Sequence, residues 1–348
     1  MNDRPDPVVV RLDEQFAAWT GTATPEIVGL IATLFGAEGD TRTRSLFDWQ
    51  YLEHLGGAHV CIAYTDRGLF AEPAALYAAF PTRFQLNGHS SIAYQSFDTL
   101  TVAAFRGRSL FVRLADLAYR QIADRGASLV YGVPNGNSFG GFIRRLGWSE
   151  LDPLPMLIRP IGLRYLRSRM GLRRSKLMAA PSNCDLLMRG GELTELFARS
   201  QYAGHSGVIR DAEYLRWRLQ RPGSSYRLLE SRNSQGELIG LAVIEVLAKH
   251  GGTVGYLMEF MIDQTVLDEG RHLLDRALSE LAAAGADVVL AWAMPDDPAQ
   301  RLLQERGFRN LPTRLSPIEL HLGYRSFVDD VQLTRRELRW SYLDSDTV

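Results

Sequence analysis

Apolar residues recur along this chain in two patterns, one typical of helices and one typical of buried strands. Between residues 110 and 122 they recur at three- and four-residue spacing, which predicts an amphipathic helix that Gly126 ends. The run "SLVYGV" (128–133) that follows is short and almost continuously apolar, as in a strand covered on both faces. Such strands in alternation with helices predict an α/β sheet with some parallel pairing.

The same order of patterns occurs twice. Residues 46–64 and 214–231 each predict a short helix centred on a tryptophan, then a turn and a strand. Residues 270–308 repeat the second half of this pattern. They predict a helix, a buried strand, a proline and a short helix that ends in Gly-aromatic. Chance similarity of two α/β units is the alternative, but the shared order at similar spacing favours a duplication.

We therefore predict an α/β (α+β) fold of two units, each a mixed, mostly antiparallel sheet flanked by helices. The predicted boundaries are 1–160 for the first domain, 161–182 for a basic linker and 183–348 for the second domain. The segment 159–176 carries seven cationic residues and no acid. It is either a solvated linker helix or an electropositive arm for a phosphate-bearing ligand, an anionic lipid or an acidic partner.

Composition excludes several classes of protein. The chain has 348 residues, 46% of them hydrophobic, and a formal net charge of -1, which gives no argument for nucleic-acid binding. Cys61 and Cys184 form neither a disulfide framework nor a metal-ligand spacing. The N-terminal residues have no long apolar run and no stretch approaches a membrane span. These features predict a cytoplasmic protein without a metal.

The segments "DTLTVAAFRGRSLFVRLADLA" (98–118) and "YGVPNGNSFGGFIRRLGW" (131–148) resemble the acyl-CoA site of the GNAT superfamily of N-acetyltransferases. In that superfamily a strand runs into an Arg/Gln-x-x-Gly-x-Gly/Ala turn, and a later helix ends in Leu-Gly-Phe or a relative. The resemblance covers residues 90–150 well and 253–310 more loosely. Tandem units are known in the superfamily, among acetyltransferases and Fem-type aminoacyl transferases.

The resemblance implies an acetyl-CoA site in the first unit. Amides of the turn would hold the pyrophosphate at a helix N-terminus, and the strand end would meet the pantetheine amides. The implied cofactor-binding residues are Leu100, Thr101, Val102, Arg106, Gly107, Arg108, Ser109, Leu110, Asn135 and Ser138. Ser109 and Phe111 depart from the motif, which has glycine or alanine there. Asn135 and Ser138 are equally suited to capping a helix.

In the second unit, Asp263, Asp268 and Glu269 occupy the place where a pyrophosphate needs positive potential. Because like charges repel, this unit is expected to bind CoA poorly or not at all. We interpret it as a degenerate copy.

Amine acylation needs a proton acceptor for the amine and a donor for the leaving thiolate. Asp98 is a candidate base or a turn cap, and His89 is a candidate base or an exposed loop histidine. Glu259 is the one charge in an apolar strand, so it is either catalytic or held in an ion pair. The family's usual acid, a tyrosine, is replaced by Ile143 and Leu303, so either another group serves as the acid or CoA leaves as the thiolate. Tyr131 is a substitute acid or a core residue.

The sequence thus predicts an acetyl-CoA-dependent N-acetyltransferase that acts by direct transfer on a small amine, such as an amino sugar or amino acid derivative. The alternatives are a Fem-type or other acyl transferase, and a binding protein on a decayed GNAT fold. The predicted partner is the small-molecule amine, with no nucleic acid. Peripheral membrane contact through 159–176 is the less favoured option, and the oligomeric state stays open.

Overall fold

The computed structural model describes residues 7–54, 56–151, 154–161, 189–249, 251–312, 320–329 and 331–345. The chain divides into two compact units, and neither is one continuous stretch of sequence. Unit 1 comprises Met1–Arg83, Ser91–Glu150 and Leu320–Gln332, and unit 2 comprises Phe84–Ser90, Leu151–Glu319 and Leu333–Val348.

Unit 1 is built on a sheet with the strand order β1-β2-β3-β4-β5-β6-β15-β7. These strands are β1 (Val8–Arg11), β2 (Phe16–Thr22), β3 (His59–Thr65), β4 (Pro73–Leu86), β5 (His89–Thr101), β6 (Leu129–Gly132), β7 (Ser149–Glu150) and β15 (Gly323–Ser326). The end of the β4–β5 hairpin belongs to unit 2, where Phe84 and Gln85 pair with β9 (Gly207–Val208).

Four helices accompany this sheet in the described part of unit 1: α1 (Pro25–Ala37), α2 (Arg44–Tyr51), α3 (Leu110–Asp124) and α4 (Gly136–Leu146). The predicted apolar stripe of α3 is buried in the main core, where Leu114 and Ile122 pack with Tyr94 and Val130 of the sheet. The α2 side of the sheet carries a separate aromatic contact, with Tyr51 against Phe97.

Unit 2 repeats this plan with the strand order β10-β11-β12-β13-β8-β14. Its strands are β8 (Met156–Pro160), β10 (Arg227–Arg232), β11 (Leu238–Lys249), β12 (Gly252–Ile262), β13 (Val288–Trp292) and β14 (Arg309–Asn310). Its helices are α5 (Gly190–Arg199), α6 (Ala212–Leu219), α7 (Leu267–Ala283) and α8 (Pro298–Glu305). The apolar face of α7 is buried against this sheet. The fold class predicted from the sequence is confirmed.

Each sheet contains one strand from a distant part of the chain. In unit 1 the strand between β6 and β7 is β15, from near the end of the chain, and in unit 2 the strand between β13 and β14 is β8, from its middle. The predicted domains were continuous, with 156–160 in the first and 320–332 in the second. The structure places these two segments in the opposite units, because strand patterns do not encode which sheet a strand joins.

In each sheet the two central parallel strands are paired over only part of the longer strand. β5 pairs with β6 only over Ala93–Gln95, although β5 continues to Thr101. β12 pairs with β13 over Val254–Leu257, although β12 continues to Ile262. Each unit therefore has a central strand that extends about five residues beyond its parallel ladder, and the candidate site lies along this extension in unit 1.

No helix in the described ranges is long and apolar enough to cross a membrane. Residues 162–176 of the basic segment lie outside the described residues, so the proposals for that segment stay predictions.

Candidate functional site

The turn between β5 and α3 presents backbone amides without a side-chain cap. Gly107 and Ser109 both have left-handed backbone conformations, with φ of 81° and 59°. Ser109 is the N-cap residue of α3, but its side chain caps none of the helix amides. The first amides of a helix have no internal partner, so this turn has the local geometry of an anion site.

Arginines surround this turn. Arg145 donates a hydrogen bond from Nη2 to Ser109 Oγ at 2.8 Å. Arg106 and Arg108 are exposed, and the first turn of α3 contains no acidic residue. Glu38 is the nearby counter-charge, with its Oε2 3.3 Å from Arg106 Nη2. The turn therefore combines amides with guanidinium groups, the combination that recognises phosphate.

The extension of β5 leads directly into this turn. Beyond Gln95 the strand is no longer paired with β6, while its other edge stays in the sheet, as shown by the Val102 N–H that donates to Ala74 O at 3.0 Å. Leu100, Thr101 and Val102 are half-buried. An extended amide-bearing ligand would find backbone groups along this edge, in the manner of an added strand.

Proteins of known structure share the arrangement of strands and helices seen here. No family model and no curated protein matches the sequence. A GCN5-related N-acetyltransferase from Anabaena variabilis is similar in structure, with 11% identity and a TM-score of 0.62 over 89% of this chain and 73% of that one. N-myristoyltransferase from Saccharomyces cerevisiae, with bound myristoyl-CoA, is similar over 99% of this chain and 88% of that one, with 12% identity and a TM-score of 0.59.

A probable N-acyltransferase from Enterococcus faecalis is similar at 12% identity, with a TM-score of 0.61 over 90% of this chain and 73% of that one. The chain has the GCN5-related N-acetyltransferase fold. At these identities the likeness establishes the fold, and the positions of the side chains decide what this example of it can do.

Within this fold, Asn135 and Ser138 lie at the start of α4. Asn135 Oδ1 accepts a hydrogen bond from the Ser138 N–H at 3.2 Å, and Asn135 O accepts one from Ser138 Oγ at 3.3 Å. These contacts are those of a helix cap. Contact with a pantetheine arm stays a prediction for both residues.

Phe111, the bulky departure from the GNAT motif, packs inward. Its ring lies 5.1 Å from the ring of Phe142 and against Gly141 of α4. Leu110 is buried in the core of unit 1. The side chain of Phe111 is thus accommodated between α3 and α4.

Asp98 lies on the extension of β5 in a polar cluster that the sequence did not reveal. Its Oδ2 accepts hydrogen bonds from Arg42 Nη1 and from the Tyr51 hydroxyl, both at 2.8 Å. Burial and the Asp98 carboxylate raise the pKa of Tyr51 well above its usual value, so Tyr51 donates as a neutral hydroxyl. Tyr131 is buried on β6, opposite Gln95 at the last rung of the ladder.

The structure does not bring His89 to this cluster. His89 is exposed at the opposite end of β5 from Thr101, and twelve residues of strand span roughly 40 Å.

Glu259 belongs to unit 2 and is almost completely buried, at 1% exposure. Its Oε2 accepts from Arg210 Nε and from Ser341 Oγ, both at 2.9 Å. Its Oε1 accepts from the Tyr202 hydroxyl at 2.8 Å. Of the two sequence interpretations, these contacts are those of a satisfied ion pair.

A small cavity lies at the central parallel strands of unit 2. Between β12 and β13 a cavity of about 10 Å³ remains, lined among others by Glu259, Trp292 and Asp297. Such a volume holds about one water molecule. The C-terminal segment supplies Trp340 and Ser341 to its lining, and Tyr342 stacks on Trp292 with ring centroids 4.0 Å apart.

A wider groove of about 610 Å³ lies between α7 and α8. Asp296 and Glu305 line it, and Asp268 and Glu269 stand in the first turn of α7. Asp263, by contrast, is buried and held by Arg199 Nε at 2.8 Å. Arg271 and Arg301 line the same groove, and Arg271 bonds Asp268 and Glu305, so these acids are partly neutralised there.

The described residues contain no group of three histidine, cysteine or acidic side chains arranged to hold a metal ion. The residues that sequence reasoning missed are Arg42, Tyr51 and Arg145. One signal for Arg42 was present: an arginine stands seven residues before the repeated tryptophan in both copies, as Arg42 and Trp49 and as Arg210 and Trp217.

The buried carboxyls of unit 2 predict a pH dependence of its stability. Burial raises the pKa of Asp344 to about 6 and that of Asp297 to about 6. Because these values exceed the unfolded value of about 3.9, the folded state binds more protons between about pH 4 and 6. The two groups therefore favour folding more at pH 5 than at pH 7.5.

Asp344→Asn removes one of these protonation sites. The free energy of unfolding of the wild type, measured in urea at pH 5 and pH 7.5, is expected to fall relative to the variant by about 1.4 kcal/mol as pH rises. Parallel curves for the two proteins would contradict the assignment.

Proposed function

We propose that this protein is an acyl-CoA-dependent N-acyltransferase, with the acyl-CoA bound by unit 1 and a small amine as acceptor. The observation that carries the proposal is the turn at 106–110. It offers uncapped amides and three arginines at the end of β5, beyond the residues at which β5 pairs with β6. The fold shared with the yeast N-myristoyltransferase, whose structure holds myristoyl-CoA, supports the same donor class.

In this proposal the turn binds the diphosphate and the extension of β5 binds the pantetheine amides. The amine nitrogen attacks the thioester carbonyl, the new N–C bond forms, and the C–S bond breaks. The amine loses one proton and the departing CoA thiolate takes one up, so charge and atoms balance. Asp98 and Tyr131 are the side chains proposed to stand nearest this exchange.

Unit 2 is proposed not to bind acyl-CoA. Its α7 begins with two acidic residues where unit 1 has none. The cavity between its diverging strands has room for one water molecule.

Calorimetry with acetyl-CoA, myristoyl-CoA and CoA tests the donor. One site per chain is expected for at least one acyl-CoA. A panel of primary amines, with an amino sugar, an amino acid amide and a polyamine, then tests transfer by release of the CoA thiol. Absence of binding by both acyl-CoA donors, or two equal sites per chain, would overturn the proposal.

A prediction concerns Glu38, which is paired with Arg106. Its carboxylate bonds Arg106 and also accepts from the Ala103 N–H at 3.5 Å. A phosphate at the turn would compete for Arg106 and be repelled by Glu38. Glu38→Gln is therefore expected to tighten acyl-CoA binding about threefold to tenfold at low salt, and less at high salt.

The matched control is Glu195→Gln, an exposed acid on α5 of unit 2. It removes the same charge and should leave the affinity unchanged. Equal effects of the two substitutions would point to net charge alone and would refute a local competition.

A further inference from the structure

Arg42 and Arg210 are the same residue of the duplicated unit. Each stands directly before the residue that caps the second helix of its unit, Thr43 for α2 and Asp211 for α6. Each precedes the repeated tryptophan by seven residues. Their structural positions and their sequence positions therefore agree.

Each arginine bonds the carboxylate on the central strand of its unit and a second carboxylate. Arg42 bonds Asp98 through Nη1 at 2.8 Å and Asp40 through Nε at 2.9 Å. Arg210 bonds Glu259 through Nε at 2.9 Å and Asp344 through Nη2. In both units the carboxylate on the central strand also accepts from a tyrosine hydroxyl. We call this arrangement the arginine clamp.

The aromatic surroundings are also repeated. The guanidinium carbon of Arg42 lies 4.6 Å and 4.4 Å from the ring centroids of Phe35 and Phe47. That of Arg210 lies 4.4 Å from the ring centroid of Tyr202. Rings on the face of a guanidinium restrict it to one orientation, so each clamp holds its strand carboxylate in a fixed place.

The side chains of the two clamps differ in solvent exposure. In unit 2 the side chains of Arg210, Glu259 and Asp344 are 0%, 1% and 0% exposed, and the C-terminal segment supplies Asp344. In unit 1 the side chains of Arg42 and Asp98 are 20% and 14% exposed, and the second carboxylate is the local Asp40. The clamp is sealed in unit 2 and partly exposed in unit 1.

We infer that Arg42 is a positioning residue for the acceptor amine in unit 1, and that Arg210, its counterpart, serves the folding of unit 2. The inference rests on the proposed function. Arg42 fixes Asp98 on the extension of β5 and bonds two carboxylates there, those of Asp98 and Asp40. An amine that arrives as its ammonium is attracted to that place.

The test is the matched pair Arg42→Lys and Arg210→Lys. Lysine keeps the charge but cannot bond two carboxylates in the geometry of the guanidinium fork. Arg42→Lys is expected to raise the KM of the best amine of the panel about tenfold or more. The dissociation constant of the acyl-CoA and the melting temperature should stay close to those of the wild type. Arg210→Lys is expected to lower the melting temperature by about 10 °C.

Asp98→Asn completes a double-mutant cycle with Arg42→Lys. Because both changes break one clamp, the double variant should raise the amine KM no further than the larger single effect. An unchanged amine KM in Arg42→Lys would overturn the inference, and so would a loss of melting temperature as large as that of Arg210→Lys. A wild type that binds acyl-CoA but acylates no amine would overturn the proposed function, and the inference with it.

Discussion

A protein that carries Arg106→Glu together with Ser109→Glu is expected to bind acyl-CoA about 100-fold or more weakly than the wild type. The two changes replace a guanidinium and the N-cap hydroxyl of α3 by carboxylates at the turn proposed to hold the diphosphate. A hydrogen bond to a charged group contributes about 1.5–3 kcal/mol, so the loss of two such contacts accounts for the factor. Calorimetry with the donor that the wild type binds best measures it.

The matched control carries the same change in charge in unit 2, as Arg271→Glu with Gln304→Glu. Both residues line the groove between α7 and α8. If unit 1 alone binds the donor, this control should retain the affinity of the wild type. A control that loses binding while the unit 1 variant keeps it would place the donor in unit 2 and refute the assignment.

Glu259→Gln is expected to lower the free energy of unfolding by about 3 kcal/mol, the scale for a buried ion pair that loses one partner. Glu259 is 1% exposed and accepts from Arg210, Ser341 and Tyr202. The amide of glutamine fills the same volume but leaves Arg210 with Asp344 as its one acidic partner in the cluster. The melting temperature should fall by about 10 °C, while turnover per folded molecule stays unchanged.

Asp98→Asn is the corresponding change in unit 1 and should behave in the opposite way. The Arg42–Asp98 pair is less buried than the Glu259 cluster, so its loss should reduce the free energy of unfolding by less, by about 1–2 kcal/mol. It should instead weaken use of the amine. Calorimetric melting and steady-state kinetics of both variants distinguish the two roles. A stable Glu259→Gln variant without turnover would restore the catalytic interpretation of Glu259.

The repeated helices and strands could be predicted from the sequence because they depend on the local spacing of apolar residues. The apolar stripes of α3 and α7, the buried strands β6 and β13 and the glycines that end the helices all follow from neighbouring residues. The partners of β8 and β15 did not follow in this way. Each is a short strand whose pattern fits either sheet, and the exchange between units depends on contacts more than 100 residues apart.

For the candidate site, the sequence by itself determined the turn at 106–110 and the acidic start of α7, since the residues concerned are consecutive and their charges can be read directly. It also placed Asp98 and Glu259 on the central strands. Only the tertiary structure decided how these carboxylates differ. Arg42 approaches Asp98 from 56 positions away, and Asp344 reaches the Glu259 cluster from the end of the chain. Burial and the choice of ion partner arise when distant segments pack, so one carboxylate is partly exposed and the other is sealed.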